Sequence, residues 1–122
     1  MNKKLSYLMG FLIFLPNAAF ADNCSWHGRF EFGQDGSGSA VVKSGQACTF
    51  HYTLSSKRAG MLKSLDIVSP PAHGKAGSIS SSSFTYQSKA GYIGEDSFIF
   101  SVDGKDNVSS GLSKVTMKVS VR

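Results

Sequence analysis

The sequence is poor in the residues from which catalytic centres and metal sites are built. It has two cysteines, Cys24 and Cys48, which lack the close paired spacing of zinc ligands. Its three histidines, His27, His51 and His73, form no pair at a ligand spacing either. Serine is plentiful, but no Gly-x-Ser-x-Gly elbow occurs; Gly36-Ser37-Gly38 reads as a flexible loop, not a strained strand-to-helix turn. After residue 21 no window of about eleven residues repeats with helical periodicity. These absences argue against a metal centre, a serine hydrolase and a helical domain. No cofactor and no enzymatic activity are expected.

Long apolar runs are absent as well, except at the start. Lys3 and Lys4 precede a mostly apolar stretch from Leu5 to Leu15, Pro16 breaks it, and Ala19-Phe20-Ala21 supplies small residues where a signal peptidase reads. The pattern is that of a secretory signal peptide, residues 1–21, cleaved after Ala21. The run is too short for a comfortable membrane span. A domain of residues 22–122 with no integral membrane span is expected, in the periplasm or secreted. Asn23 is a poor fit to the small residue that a lipidation box places before its cysteine, so lipidation of Cys24 is set aside. Loss of Lys3 and Lys4 lowers the formal net charge from +5 to +3. That mild basic bias is no nucleic-acid footprint, although it allows weak attraction to anionic cell-surface polymers.

In an exported chain Cys24 and Cys48 are expected to pair; two free thiols would need a reducing compartment. The closed loop of about 25 residues corresponds to roughly 3.5 kcal/mol in the chain-entropy model.

What the sequence does have is period-two alternation. Phe98, Phe100 and Val102 share one face of an extended chain, with Ser97, Ser101 and Asp103 on the other and Ile99 as the exception. Val115, Met117, Val119 and Val121 alternate with Lys114, Thr116, Lys118 and Ser120. Cys48, Phe50, Tyr52 and Leu54 form an inward row opposite Thr49, His51 and Thr53. Shorter strands are expected around Trp26, Phe30 and Phe32, at Ala40–Val42, from Leu62 to Val68 and at Phe84–Tyr86. Gly33–Gly38, Ser55–Gly60, Ser80–Ser83 and Asp103-Gly104 read as turns or loops. Pro70 and Pro71 stop a strand, because neither has an amide hydrogen to donate. The expected fold is all-β: an Ig-like antiparallel β-sandwich of about seven strands.

Pro70-Pro71-Ala72-His73-Gly74, then Phe84-Thr85-Tyr86, then Gly91-Tyr92-Ile93-Gly94-Glu95-Asp96-Ser97-Phe98-Ile99-Phe100-Ser101-Val102-Asp103-Gly104 carry a resemblance. Residues 62–122 resemble bacterial Ig-like, cadherin-like repeat domains. Ser88 stands where the family often has proline, and one copy is present where the family usually has tandem repeats. The resemblance implies a sandwich fold and a place in the bacterial cell envelope, and is nearly silent on function. Calcium at Asp103, Asp106 and Asn107 is the family's suggestion, but it belongs to domain junctions, and a single domain has none; no metal is expected. Asp96 is expected to bond turn amides near Gly91–Gly94, and Tyr92 to pack inward.

Lys57, Arg58 and Lys63 are the one basic cluster, read as a solvated loop or as a contact for an anionic glycan or acidic protein. The leading functional expectation is a non-enzymatic binding module of the cell envelope with an unknown protein or glycan partner and no nucleic acid. The alternative is a small inhibitor or immunity-type protein that blocks a toxic or lytic enzyme.

Overall fold

The computed structural model describes residues 22–53 and 60–122. Their nine strands are β1 (Asp22–Asn23), β2 (His27–Glu31), β3 (Gln34–Val42), β4 (Cys48–His51), β5 (Gly60–Ser69), β6 (Gly74–Ser80), β7 (Ser83–Ser88), β8 (Gly94–Asp106) and β9 (Ser110–Val121). No helix occurs among them. One sheet has the order β1-β4-β7-β6 and the other β2-β3-β9-β8-β5. The two pack as a β-sandwich around a single core. The signal-peptide reading of residues 1–21 lies outside the described residues.

The alternating rows set the core. Phe98, Phe100 and Val102 on β8 are buried, as are Val115, Met117, Val119 and Val121 on β9. From the facing sheet come Cys48 and Phe50 on β4 and Phe84 and Tyr86 on β7. Period-two side chains on a pleated strand leave one row dry and the other wet. Thus Lys114, Lys118, Ser97 and Asp103 lie on the opposite side of their strands.

Strand number and direction differ from the expectation. Nine strands form where about seven were read, and two pairings are parallel: β1 with β4 and β3 with β9. The largest change is at Gly33–Gly38. This stretch is not a flexible turn; from Gln34 on it belongs to β3, paired with β9 from Gly36↔Val115 to Val42↔Val121. Its Gly/Ser composition has poor strand propensity, but tertiary pairing outweighs propensity in sheets. The glycines are what the packing needs. A Cβ on Gly38 would meet Met117 Sδ at 2.7 Å and Trp26 Cε3 at 2.8 Å. The turn itself is confined to Phe32-Gly33, where Gly33 has φ of 88° and its amide donates to Ser113 Oγ at 3.1 Å.

Asp103-Gly104 is likewise strand rather than turn, paired with Leu112 and Gly111. A side chain at Gly104 would collide with Phe32 Cε1 at 2.7 Å. The chain turns later, where Asp106 Oδ1 accepts from the amides of Val108 and Ser109, both at 2.8 Å. The serine run is divided: Ser80 closes β6, Ser83 opens β7, and Ser81-Ser82 make the connection. β5 ends at Ser69, directly before Pro70 and Pro71.

Asp96 has different partners from those expected. Its carboxylate accepts from Tyr86 Oη at 2.7 Å, from Ala72 N at 3.2 Å, from His73 N at 3.3 Å and from Ser97 N at 2.9 Å. It shares the inward parity of Phe98, so it points under the Pro70–His73 corner and not back at Gly91–Gly94. One buried carboxylate thereby ties that corner, β7 and β8 together, with its acceptor capacity used by neighbouring donors.

Cys24 and Cys48 form a disulfide with Cα atoms 5.4 Å apart. It fastens the chain just after β1 to the start of β4, within one sheet. It does not bridge the sandwich.

Candidate functional site

The Trp26–Tyr52 side of the sandwich, between β2 and the end of β4, is closed by aromatic rings. Trp26 donates its indole N–H to His51 O at 2.8 Å and sets its ring edge-on to Phe84 and Phe100, with centroids 5.7 and 6.2 Å away. Tyr52 donates its amide to Ser82 O at 3.0 Å and its hydroxyl to Ser81 O at 2.5 Å. Phe30 packs edge-on to Phe32 at 5.8 Å and to Tyr52 at 5.4 Å. The polar tips of Trp26 and Tyr52 are therefore taken by backbone carbonyls. What remains exposed of them is largely ring surface.

Phe30 faces an irregularity in the partner strand. The β2–β3 register shifts between Arg29 and Glu31, so Phe30 alone opposes Asp35 and Gly36 and the extra residue belongs to β3. Ser113 holds the adjoining turn: buried completely, it donates to Glu31 O at 2.6 Å while accepting from Gly33. The result is an open cleft of about 560 Å³ whose lining includes Trp26, Phe30 and Tyr52, with Arg29, Glu31, Asp35 and Asp106 among its charged groups. Rings beside mixed charges and hydrogen-bonding groups suit a ligand with both apolar faces and polar edges, such as a sugar or a peptide side chain.

Burial pushes the Tyr52 phenol up to about 12. Tyr86 is raised further, first by desolvation, then by its hydrogen bond to Asp96 and the charges of Asp96 and Tyr92. Both phenols favour the neutral form in the folded chain. Above about pH 10 the unfolded chain loses protons that the folded chain keeps, so stability falls as pH rises. Each tyrosine contributes a loss of up to about 1.4 kcal/mol per pH unit between its unfolded and folded values. Urea midpoints measured from pH 9 upward are expected to drop beyond about pH 10, and Tyr86→Phe to make that drop shallower. A midpoint independent of alkaline pH would contradict this assignment.

The sequence-derived candidates are distributed differently. Lys57 and Arg58 lie outside the described residues. Lys63 is exposed on β5, at a register shift opposite β8, and is not part of the cleft lining. His27 is exposed on β2. His51 is exposed with Nε2 3.3 Å from Asn23 Oδ1. His73 stacks on Tyr92 at 4.1 Å. Tyr92 packs partly against the core and donates its hydroxyl to Glu95 O at 2.6 Å. Among the described residues no group of three His, Cys, Asp or Glu side chains could hold a metal ion. Of the residues proposed for calcium, Asp106 caps its own turn and Asp103 lies within β8, opposite Leu112 and Ser64. Arg29, Asp35 and Ser113 carry no local signal in the sequence; only the β2–β3–β9 register brings them to this side.

No family model matches the chain, and no curated protein matches its sequence. Among solved structures it is similar to PbICP-C in complex with falcipain-2, at a TM-score of 0.39 and 9% identity, over 83% of this chain and 95% of that one. An overlap this loose assigns neither family nor role. Among the described residues no helix is long and apolar enough to cross a membrane.

Proposed function

We propose that the chain is an exported, non-enzymatic Ig-like module of the bacterial cell envelope that binds a protein or glycan partner. The aromatic cleft carries this reading. Trp26 and Tyr52 are pinned by their polar ends, so their rings and that of Phe30 form a rigid platform, and ordering it costs a ligand little. The signal-peptide pattern and the disulfide support an oxidising compartment outside the cytosol.

Calorimetric titration with soluble cell-wall glycan fragments, beside a pull-down from envelope extract, tests it. The wild-type chain is expected to retain a component that Phe30→Ala binds about tenfold more weakly, a loss of about 1.4 kcal/mol. Equal retention by Phe30→Ala, or no retention by either chain, would overturn the assignment. Capture of a hydrolase whose activity is lost on binding would favour the inhibitor reading instead.

A further inference from the structure

The outer face of the five-stranded sheet holds two rows that strand register brings together from distant sequence. One runs His27, Ser39, Lys118, Ser97 across β2, β3, β9 and β8. The next runs Arg29, Ser37, Thr116, Ile99. His27, Arg29, Ser37, Ser39 and Lys118 line one open depression, and Lys118 also borders the two beside it. Among the described residues no hydrogen bond or ion pair engages the side chains of His27, Arg29 or Lys118, or the hydroxyls of Ser37, Ser39 and Ser97. Strand spacing puts β2 and β9 about 10 Å apart. Of the acids near these rows, Asp66 and Asp103 stand on the β5–β8 half, Glu95 stands beside Ser120 and shares two depressions with Lys118, and Glu31 and Asp35 line the aromatic cleft beside Arg29. Within the two rows themselves the formally charged side chains are Arg29 and Lys118, both cationic.

We infer that this half-face binds an anionic polysaccharide, a carboxylate-bearing glycan laid across β2, β3 and β9. The arginine fork and the lysine ammonium take carboxylates. Serine and threonine hydroxyls donate and accept, which matches the hydroxyls of a sugar. The rows lack the central aromatic anchor of a protein interface and the apolar stripe that enters a lipid surface; the exposed Val41 stands one row beyond, beside Ser120. This inference rests on the proposed binding role and names the partner class, at a surface that shares only Arg29 and Gly28 with the aromatic cleft.

The test uses residues 22–122 with alginate, a uronate polymer, at low and at physiological salt. Neutral dextran, poly-glutamate and phosphatidylglycerol-containing vesicles serve as comparators. Alginate is expected to bind in a salt-sensitive manner. Lys118→Gln should weaken it several-fold and Arg29→Gln with Lys118→Gln at least about tenfold, with melting temperatures unchanged because these side chains are exposed. Lys75→Gln, on β6 of the other sheet, should have no effect. No binding of alginate, equal binding of poly-glutamate or vesicles, or equal weakening by Lys75→Gln would overturn the inference. If Phe30→Ala removes alginate binding and Lys118→Gln does not, the cleft is the site and the half-face falls while the binding role stands. If neither alginate nor any envelope fraction is retained, both fall.

Discussion

Phe84→Ala is expected to cost about 3–5 kcal/mol, the range for a buried aromatic truncated in a core. Phe84 is fully buried and is the ring on which the two sheets meet. Its centroid lies 4.5 Å from Phe100, 5.3 Å from Phe50, 5.7 Å from Trp26 and 6.0 Å from Phe98. Removal opens a cavity between sheets whose backbones are held by ladders and cannot collapse to fill it. A domain of this size has roughly 5–15 kcal/mol in total, so the variant should melt on the order of 15–30 °C lower. Ile79→Ala, at a side chain 58% exposed, should stay within about 0.5 kcal/mol. Thermal unfolding followed by near-ultraviolet circular dichroism compares the two. Similar melting of both variants would mean that the aromatic row is not the interior.

Removing the disulfide with Cys24→Ala and Cys48→Ala should cost about 3.5 kcal/mol. The structural consequence is local and readable. β1 has two residues and, among the described residues, pairs only with β4. Apart from the disulfide, its attachment includes Asp22 N to Ala47 O and Cys24 N to Thr49 O, both 2.9 Å. Those bonds, with the exposed side-chain contacts of Asp22 to Gln46 and Asn23 to His51, are worth about 1 kcal/mol each at most and do not offset the entropy of ordering that end of the chain. The strand should fray, and Trp26, two residues beyond Cys24, should loosen from His51 O. Trp26 is the single tryptophan, so its emission should shift to the red as melting falls. Unchanged melting and unchanged emission after reduction would remove the disulfide from the account of stability.

Alternation was legible where one row of side chains faces the core, as Phe98, Phe100 and Val102 and as Val115, Met117, Val119 and Val121 do, although Ser101 on the other face of β8 is buried as well. Chain-stopping prolines were equally legible, because a missing donor ends a ladder in any context. Glycine and serine misled. Gly36, Gly38 and Gly104 read as turn residues, yet each sits in a strand because a neighbouring side chain or backbone occupies the space of its Cβ. The bulge at Asp35-Gly36, opposite Phe30, left no trace either, since a register shift is a property of two strands and not of one. For the same reason the cleft charges and the His27–Ser39–Lys118 row could not be read locally: their members are far apart along the chain.

From the sequence alone came the all-β class, the interior rows of β8 and β9 and the pairing of two cysteines. These follow from side-chain period and composition, which act over a few residues. Only the tertiary structure decided which strands lie side by side, that β3 runs parallel to β9, and which exposed side chains share a surface. Those outcomes depend on long-range register, where one residue of slip exchanges the buried and exposed faces.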